Sequence, residues 1–119
     1  EEESGVDIYM GTGGSPEGVL AAAALRCIGG QMQTRMTFRN EEEISRARKV
    51  GVKNLDKIYN LNELASGDVM FAATGVTDGN MLRGVKNKES LAYTESIVMR
   101  SSTQTVRKIR AKHSIKSKL

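Results

Sequence analysis

The sequence predicts an α/β domain in which a layered mixed sheet is flanked by helices. Three observations carry that expectation. Short apolar runs bounded by glycine alternate with helix-forming segments, two of the runs end in glycine-containing turns, and the last third of the chain holds two β-rich stretches joined by a corner. The length of 119 residues suits one domain with a modest core and is too short for two.

Residues 6–10, VDIYM, form an apolar run between glycines and read as a buried strand. The turn GTGGSPEG follows, and residues 18–28, GVLAAAALRCI, are rich in helix formers and apolar nearly all round, so this helix is expected to be buried on several faces. Gly29 and Gly30 stop it. Residues 31–38, QMQTRMTF, alternate polar and apolar side chains as a strand or extended connection does. Asn40 caps a helix over EEEISRARKVG, with acids in the first turn and bases towards the end, as the helix dipole favours.

Asn54 is placed to cap a shorter helix, LDKIY, and Asn62 with Glu63 to start another helical turn that Gly67 closes. Residues 68–75, DVMFAATG, give the second buried strand, followed by the turn VTDGN and a brief helical candidate, MLRGV. Residues 94–100 and 103–109 read as an antiparallel pair turning at Ser101 and Ser102.

Composition narrows the class of function. Apolar residues make up 39% and charged residues 27%, an ordinary globular balance, and no run of about 18 apolar residues is present to span a bilayer. The opening EEESG has no basic segment and no apolar signal core, which argues against secretion. A lone cysteine, Cys27, makes no internal disulfide and fits a reducing cytoplasm, and its apolar helix makes it an inert core residue. The net charge of +4 gathers at the end: Arg100, Arg107, Lys108, Arg110, Lys112, Lys116 and Lys118 occur with no acid among them. Such a run suits either an anionic partner or a solvated strand face. The scarcity of aromatic stacking residues favours the second, so neither nucleic acid nor membrane is the expected partner.

The glycine turn is the chemical signal. Gly11, Thr12, Gly13 and Gly14 offer backbone N–H groups unscreened by large side chains, and glycine admits the positive φ angles that aim several N–H groups at one point. Ser15 suits an N-cap and Pro16 a first helical position, so a phosphate could rest at the helix N-terminus. Glu17 favours the helix dipole on its own account, yet beside a phosphate it would repel unless a divalent cation lay between them. The turn is neither a nucleotide P-loop, since no lysine follows, nor a dinucleotide fingerprint, since the spacing fails. Asp78, in the second glycine turn ATGVTDG, reads as a turn-capping residue, and the sole histidine, His113, supports neither a triad nor a metal site.

GVDIYMGTGGSPEGVLAAAALRCIGG, then FAATGVTDGNMLRGV and TESIVMRSSTQTVRKI, together resemble the C-terminal part of class II fructose-1,6-bisphosphatases, a bacterial branch that includes dual fructose/sedoheptulose bisphosphatases. The resemblance implies the C-terminal domain of the inositol monophosphatase/fructose bisphosphatase-like superfold, in a cytoplasmic enzyme of gluconeogenesis and glycerol use. It implies removal of the 1-phosphate of fructose 1,6-bisphosphate by a metal-activated water, with Mg²⁺ or Mn²⁺ as cofactor. By the same resemblance Glu17 is a metal ligand, and Gly14, with Gly11, Thr12 and Gly13, contacts the substrate. The family's remaining metal carboxylates and its catalytic threonine lie in an N-terminal part that this sequence lacks. The expected partners are therefore a sugar bisphosphate, that N-terminal domain, and further copies of the chain in a homo-oligomer. Alone, with one ligand and no catalytic residue assigned, the chain is expected to be inactive. The competing reading is a non-enzymatic module that binds phosphate or nucleic acid through the glycine turn and the basic end.

Overall fold

The computed structural model describes residues 4–115. The first helix, α1 (Ser15–Ile28), starts one residue ahead of the expected first helical position at Pro16 and ends as expected, with Gly29 at φ 74° returning its N–H to Leu25. A three-residue strand, β1 (Gln33–Arg35), pairs antiparallel with β2 (Ile58–Asn60), Thr34 lying opposite Tyr59. Between them α2 (Glu41–Lys49) is capped by Asn40, whose side chain accepts from the Glu43 N–H at 3.0 Å. A single turn, α3 (Leu61–Leu64), follows β2 and is closed by a reciprocal capping box between Asn60 and Glu63.

The main sheet contains β3 (Met70–Thr74), β4 (Lys86–Lys88), β5 (Leu91–Arg100) and β6 (Thr105–Ser114). β6 runs the whole length of one edge of β5, from Arg100↔Thr105 to Leu91↔Ser114. On the other edge β3 covers residues 96–100 and β4 covers residues 91–93. β3 and β4 are thus two segments of one edge strand, interrupted by an excursion over residues 76–85. The Gly75 N–H, bonded to the Glu95 carbonyl at 3.0 Å, carries the ladder up to the gap, and the Val85 N–H on the Val76 carbonyl at 3.1 Å pinches the excursion shut. Alternation puts Ile97 and Met99 on the face that meets Cys27 of α1, and with Leu82 from the excursion these form the buried cluster. The Cys27 sulfur is fully buried and points to the Val69 carbonyl at 3.6 Å, as an inert core thiol does.

The layered α/β class holds, with helices beside sheets that are antiparallel throughout the described residues. β3 forms where expected but is not buried: only one of its faces is covered, Val69, Phe71 and Ala73 are partly buried, and Met70 is 71% exposed. Four further local expectations fail, each for a physical reason. Residues 6–10 are not a buried strand: the segment has no strand partner among the described residues, and Ile8, Tyr9 and Met10 are 80–88% exposed. Helix α1 buries only Ala22 and Cys27, because a single face is covered, and Val19 and Leu20 stay exposed. LDKIY is not a helix. Asn54 caps a local turn to Asp56, and Ile58 and Tyr59 extend to pair with β1 instead. MLRGV is not a helix either, since Leu82 is drawn into the core while the Gly84 N–H turns to Asp78.

The failures at residues 6–10 and on α1 share a cause visible in the overall dimensions. The radius of gyration is 18.3 Å, against about 13–14 Å for a compact chain of this length. The accessible surface is 9839 Å², against about 6,300 Å² for a compact monomer of 13.0 kDa. Apolar surface that a closed domain would bury is left open. No helix among the described residues is long and apolar enough to cross a membrane.

Four carboxylates hold local structure together and have their pKa values lowered by doing so. The Arg39 N–H and guanidinium depress Glu43, the Lys57 ammonium depresses Glu63, Lys86 and then the Gly84 N–H depress Asp78, and the Arg83 N–H followed by Arg110 depress Glu95. Because the folded pKa values lie below the unfolded ones, the stabilisation is complete above the unfolded value of about 4 and is lost as pH falls through the folded values. The thermal midpoint is accordingly expected to be flat from pH 7 to about 5 and to drop below about 4. A Glu95→Gln chain should show a shallower acid drop, and a midpoint unchanged down to pH 3 would contradict this account.

Candidate functional site

The glycine turn leads into α1 through an extended backbone. Gly14 is the N-cap residue, at φ −68° and ψ 152°, so the helix starts at Ser15 and Pro16 follows it, one place later than the sequence reading assigned. No side chain caps this end, and the Ser15 hydroxyl makes no capping bond. The Gly18 N–H closes the first helical bond onto the Gly14 carbonyl at 3.0 Å. None of Gly11, Gly13 and Gly14 takes a positive φ, so the concave nest of N–H groups expected from the glycines is not formed in this conformation.

What the glycines provide is room. A Cβ at Gly13 would meet nothing within 4 Å, and one at Gly11 would meet the Tyr9 hydroxyl at 2.9 Å. At Gly14 a Cβ would fall on the Glu17 Oε2 atom, which shows that the Glu17 side chain folds back over Gly14. The carboxylate thus occupies the anion position at an uncapped helix N-terminus, where the partial positive charge of the first turn favours it. A phosphate and this carboxylate cannot both rest there unless a cation separates their charges.

Of the residues singled out in the sequence, the structure folds Glu17 over Gly14 at the end of the turn formed by Gly11, Thr12 and Gly13, and leaves Asp78, His113 and Cys27 elsewhere. Asp78 accepts from the Gly84 N–H at 2.8 Å and pairs with Lys86 at 2.6 Å, a turn-capping role as expected. His113 meets Thr94 across the β5–β6 pair at 2.9 Å. Among the described residues no three acidic, histidine or cysteine side chains converge on a point that could hold a metal ion, so these residues do not by themselves build a metal site. They offer Glu17 as one ligand. Of the basic end, Arg107, Arg110 and Lys112 lie on β6, while Lys116 and Lys118 fall outside the described residues. Sequence reasoning passed over Arg83, Lys86, Tyr93 and Glu95, which carry no motif. Strand register brings Lys86, Tyr93 and Glu95 to one face, and the Arg83 N–H reaches them through its bond to Glu95.

Comparison with known proteins places this turn in a lineage. The family model of bacterial fructose-1,6-bisphosphatase, glpX-encoded, matches residues 1–113. The fructose-1,6-bisphosphatase class 2 of Haemophilus influenzae is 42% identical over 122 aligned residues, covering 91% of this chain and 36% of that protein. The D-fructose 1,6-bisphosphatase class 2/sedoheptulose 1,7-bisphosphatases of two Synechococcus strains are each 43% identical over 117 residues, covering 87% of this chain and 34% of theirs. The chain therefore spans about a third of the length of the curated relatives it matches. With the family model covering residues 1–113, which include the glycine turn, α1, the excursion and nearly all of the β5–β6 pair, the chain belongs to the family of glpX-encoded bacterial fructose-1,6-bisphosphatases.

Proposed function

We propose that this chain is the C-terminal domain of a sugar bisphosphatase that hydrolyses fructose 1,6-bisphosphate to fructose 6-phosphate and inorganic phosphate, in gluconeogenesis and glycerol use. The observation that carries the reading is the Glu17 carboxylate folded over Gly14 at an uncapped helix N-terminus, a place suited at once to a phosphoryl group and to a cation ligand. Glu17 supplies one carboxylate to a Mg²⁺ or Mn²⁺ site completed by residues outside this chain. The chemistry that a divalent cation adds at such a site is neutralisation of phosphoryl charge and polarisation of water. The backbone of Gly11, Thr12, Gly13 and Gly14 borders the substrate, and the lack of side chains at three of these positions lets a phosphoryl group approach the first-turn N–H groups.

The open surface supports a domain that is completed by more protein. The excess of roughly 3,500 Å² over a compact monomer is of the order buried in obligate interfaces. The exposed Ile8, Tyr9 and Met10 and the outer side of α1 contribute apolar area to it. The working enzyme on this reading is a homo-oligomer of such completed subunits.

The test is phosphate release from fructose 1,6-bisphosphate with Mn²⁺. The chain alone is expected to be inactive, and activity is expected when it is mixed with a separately expressed N-terminal part of the Haemophilus influenzae enzyme. An associated complex of the two, shown by co-elution, that releases no phosphate would overturn the reading.

A further inference from the structure

Beside the excursion, where β4, β5 and β6 lie side by side, a groove of about 420 Å³ opens. It is lined by Arg83, Lys86, Tyr93, Glu95, Arg110 and Lys112, and none of its lining residues belongs to the glycine turn. Strand register explains the gathering. Lys86 lies opposite Tyr93 and Tyr93 opposite Lys112, so two cations flank one aromatic side chain across three strands, about 10 Å apart at the backbone. One pair further along β5, Glu95 lies opposite Arg110. Alternation aims all five at one face of the sheet.

The groups are held in place rather than left to drift. Glu95 grips the mouth of the excursion by accepting from the Arg83 N–H at 2.8 Å and, with its other oxygen, from Arg110 Nε at 2.9 Å. Asp78 fixes Lys86. Two of the four cations are thus oriented by carboxylates. Neither the Arg83 guanidinium nor the Lys112 ammonium has a hydrogen-bonded carboxylate partner among the described residues. Clustering like charges on paired strands is unfavourable in itself, and an anion seated between them relieves it. Arginine forks beside ammonium groups, in a groove of small-molecule size, match the oxygens of a phosphoryl group.

We infer that the groove between β4, β5 and β6 binds a small phosphoryl-bearing anion, with Arg83 and Lys112, which have no carboxylate partner among the described residues, taking its oxygens and Arg110 and Lys86 as positioned supports. The glycine turn has no part in this binding. It is a second anion site on the same chain.

Pyrophosphate is the probe, titrated into the isotopically labelled chain while backbone amides are followed by NMR. The expected result is saturable shifts at Gly84, Tyr93 and Ala111, with affinity reduced about tenfold in Arg83→Gln and again in Lys112→Gln, since each loses one charge-assisted contact. Both residues are exposed, and an unchanged amide spectrum elsewhere shows that the variants fold. Because no residue of the glycine turn lines the groove, a Glu17→Gln chain should show the same saturable shifts at Gly84, Tyr93 and Ala111. Shifts confined to residues 11–17, or no saturable shift at the groove, would overturn the inference. So would shifts spread along β6 that modest salt abolishes, which would mark a non-specific polyanion face, and so would saturable binding that ignores both variants.

Discussion

Glu17→Gln in the chain complemented by an N-terminal part should slow phosphate release at least about a hundredfold, a loss of about 2.7 kcal/mol of transition-state stabilisation, with little change in stability. The substitution keeps the size and hydrogen-bonding reach of the side chain and removes only its charge. Structurally that charge does one thing, favouring the first turn of α1 by about 0.3–1 kcal/mol. The midpoint should fall by no more than a few degrees whether or not Glu17 has a further role, since the dipole contribution is lost either way. A residue with no further role would leave turnover and its Mn²⁺ dependence intact, whereas loss of a ligand to a divalent cation lowers turnover and higher Mn²⁺ partly restores the rate. The two outcomes separate cleanly in one pair of measurements.

Gly14→Ala provides the companion result. The added methyl would fall on the Glu17 carboxylate, the far end of a flexible side chain, so the fold yields at small cost by moving that carboxylate away from the helix end. Activity in the complemented enzyme should fall although no charge has been altered. If Gly14→Ala kept full activity, the contact between Gly14 and Glu17 would have no functional content.

What was legible in the sequence was whatever depends on near neighbours. The Asn40 cap, the Gly29 stop and the acid-to-base gradient along α2 are written within single turns, and each is found as read. The core of β3 and the β5–β6 pair were legible because apolar and β-branched runs need no distant information. Residues 6–10 carry a strand's composition, but a strand is made by its partner, and none lies among the described residues. The same reason hid β4, whose sequence KNK has no strand character and which extends only because β5 offers it an edge. At the candidate site the place of Glu17 in the first helical turn was legible from the sequence, whereas its folding back over Gly14 was not, since a side-chain rotamer leaves no local pattern. The excess of open apolar surface was not, because no local pattern reports how much protein is needed to close a core.

The excursion between β3 and β4 is where a single methyl group should cost most. Gly75→Ala is expected to destabilise the chain by about 3 kcal/mol and to lower its thermal midpoint by more than about 10 °C. Gly75 is buried where the two ends of the excursion cross, and a Cβ there would fall on the Arg83 carbonyl oxygen and lie 2.9 Å from the Arg83 carbonyl carbon. Those are backbone atoms, so no rotamer change relieves the clash. Either the excursion opens, breaking the Val85 N–H bond to Val76, or Gly75 retreats and gives up its bond to Glu95. Gly84 meets the opposite strand of the same crossing, with the Thr77 backbone at 2.6 and 2.7 Å and the Asp78 nitrogen at 2.8 Å, so Gly84→Ala should behave alike. The control is Gly13→Ala, where the backbone φ is ordinary and no atom lies within 4 Å, and the midpoint should stay within a degree or two. Since Gly75 and Gly84 let Arg83 reach Glu95 and bring Lys86 to Asp78, any Gly75→Ala protein that still folds should also lose pyrophosphate binding at the groove. A Gly75→Ala chain as stable as the parent would mean that the two ends of the excursion do not cross as closely as described, and the register of β4 on β5 would have to be redrawn.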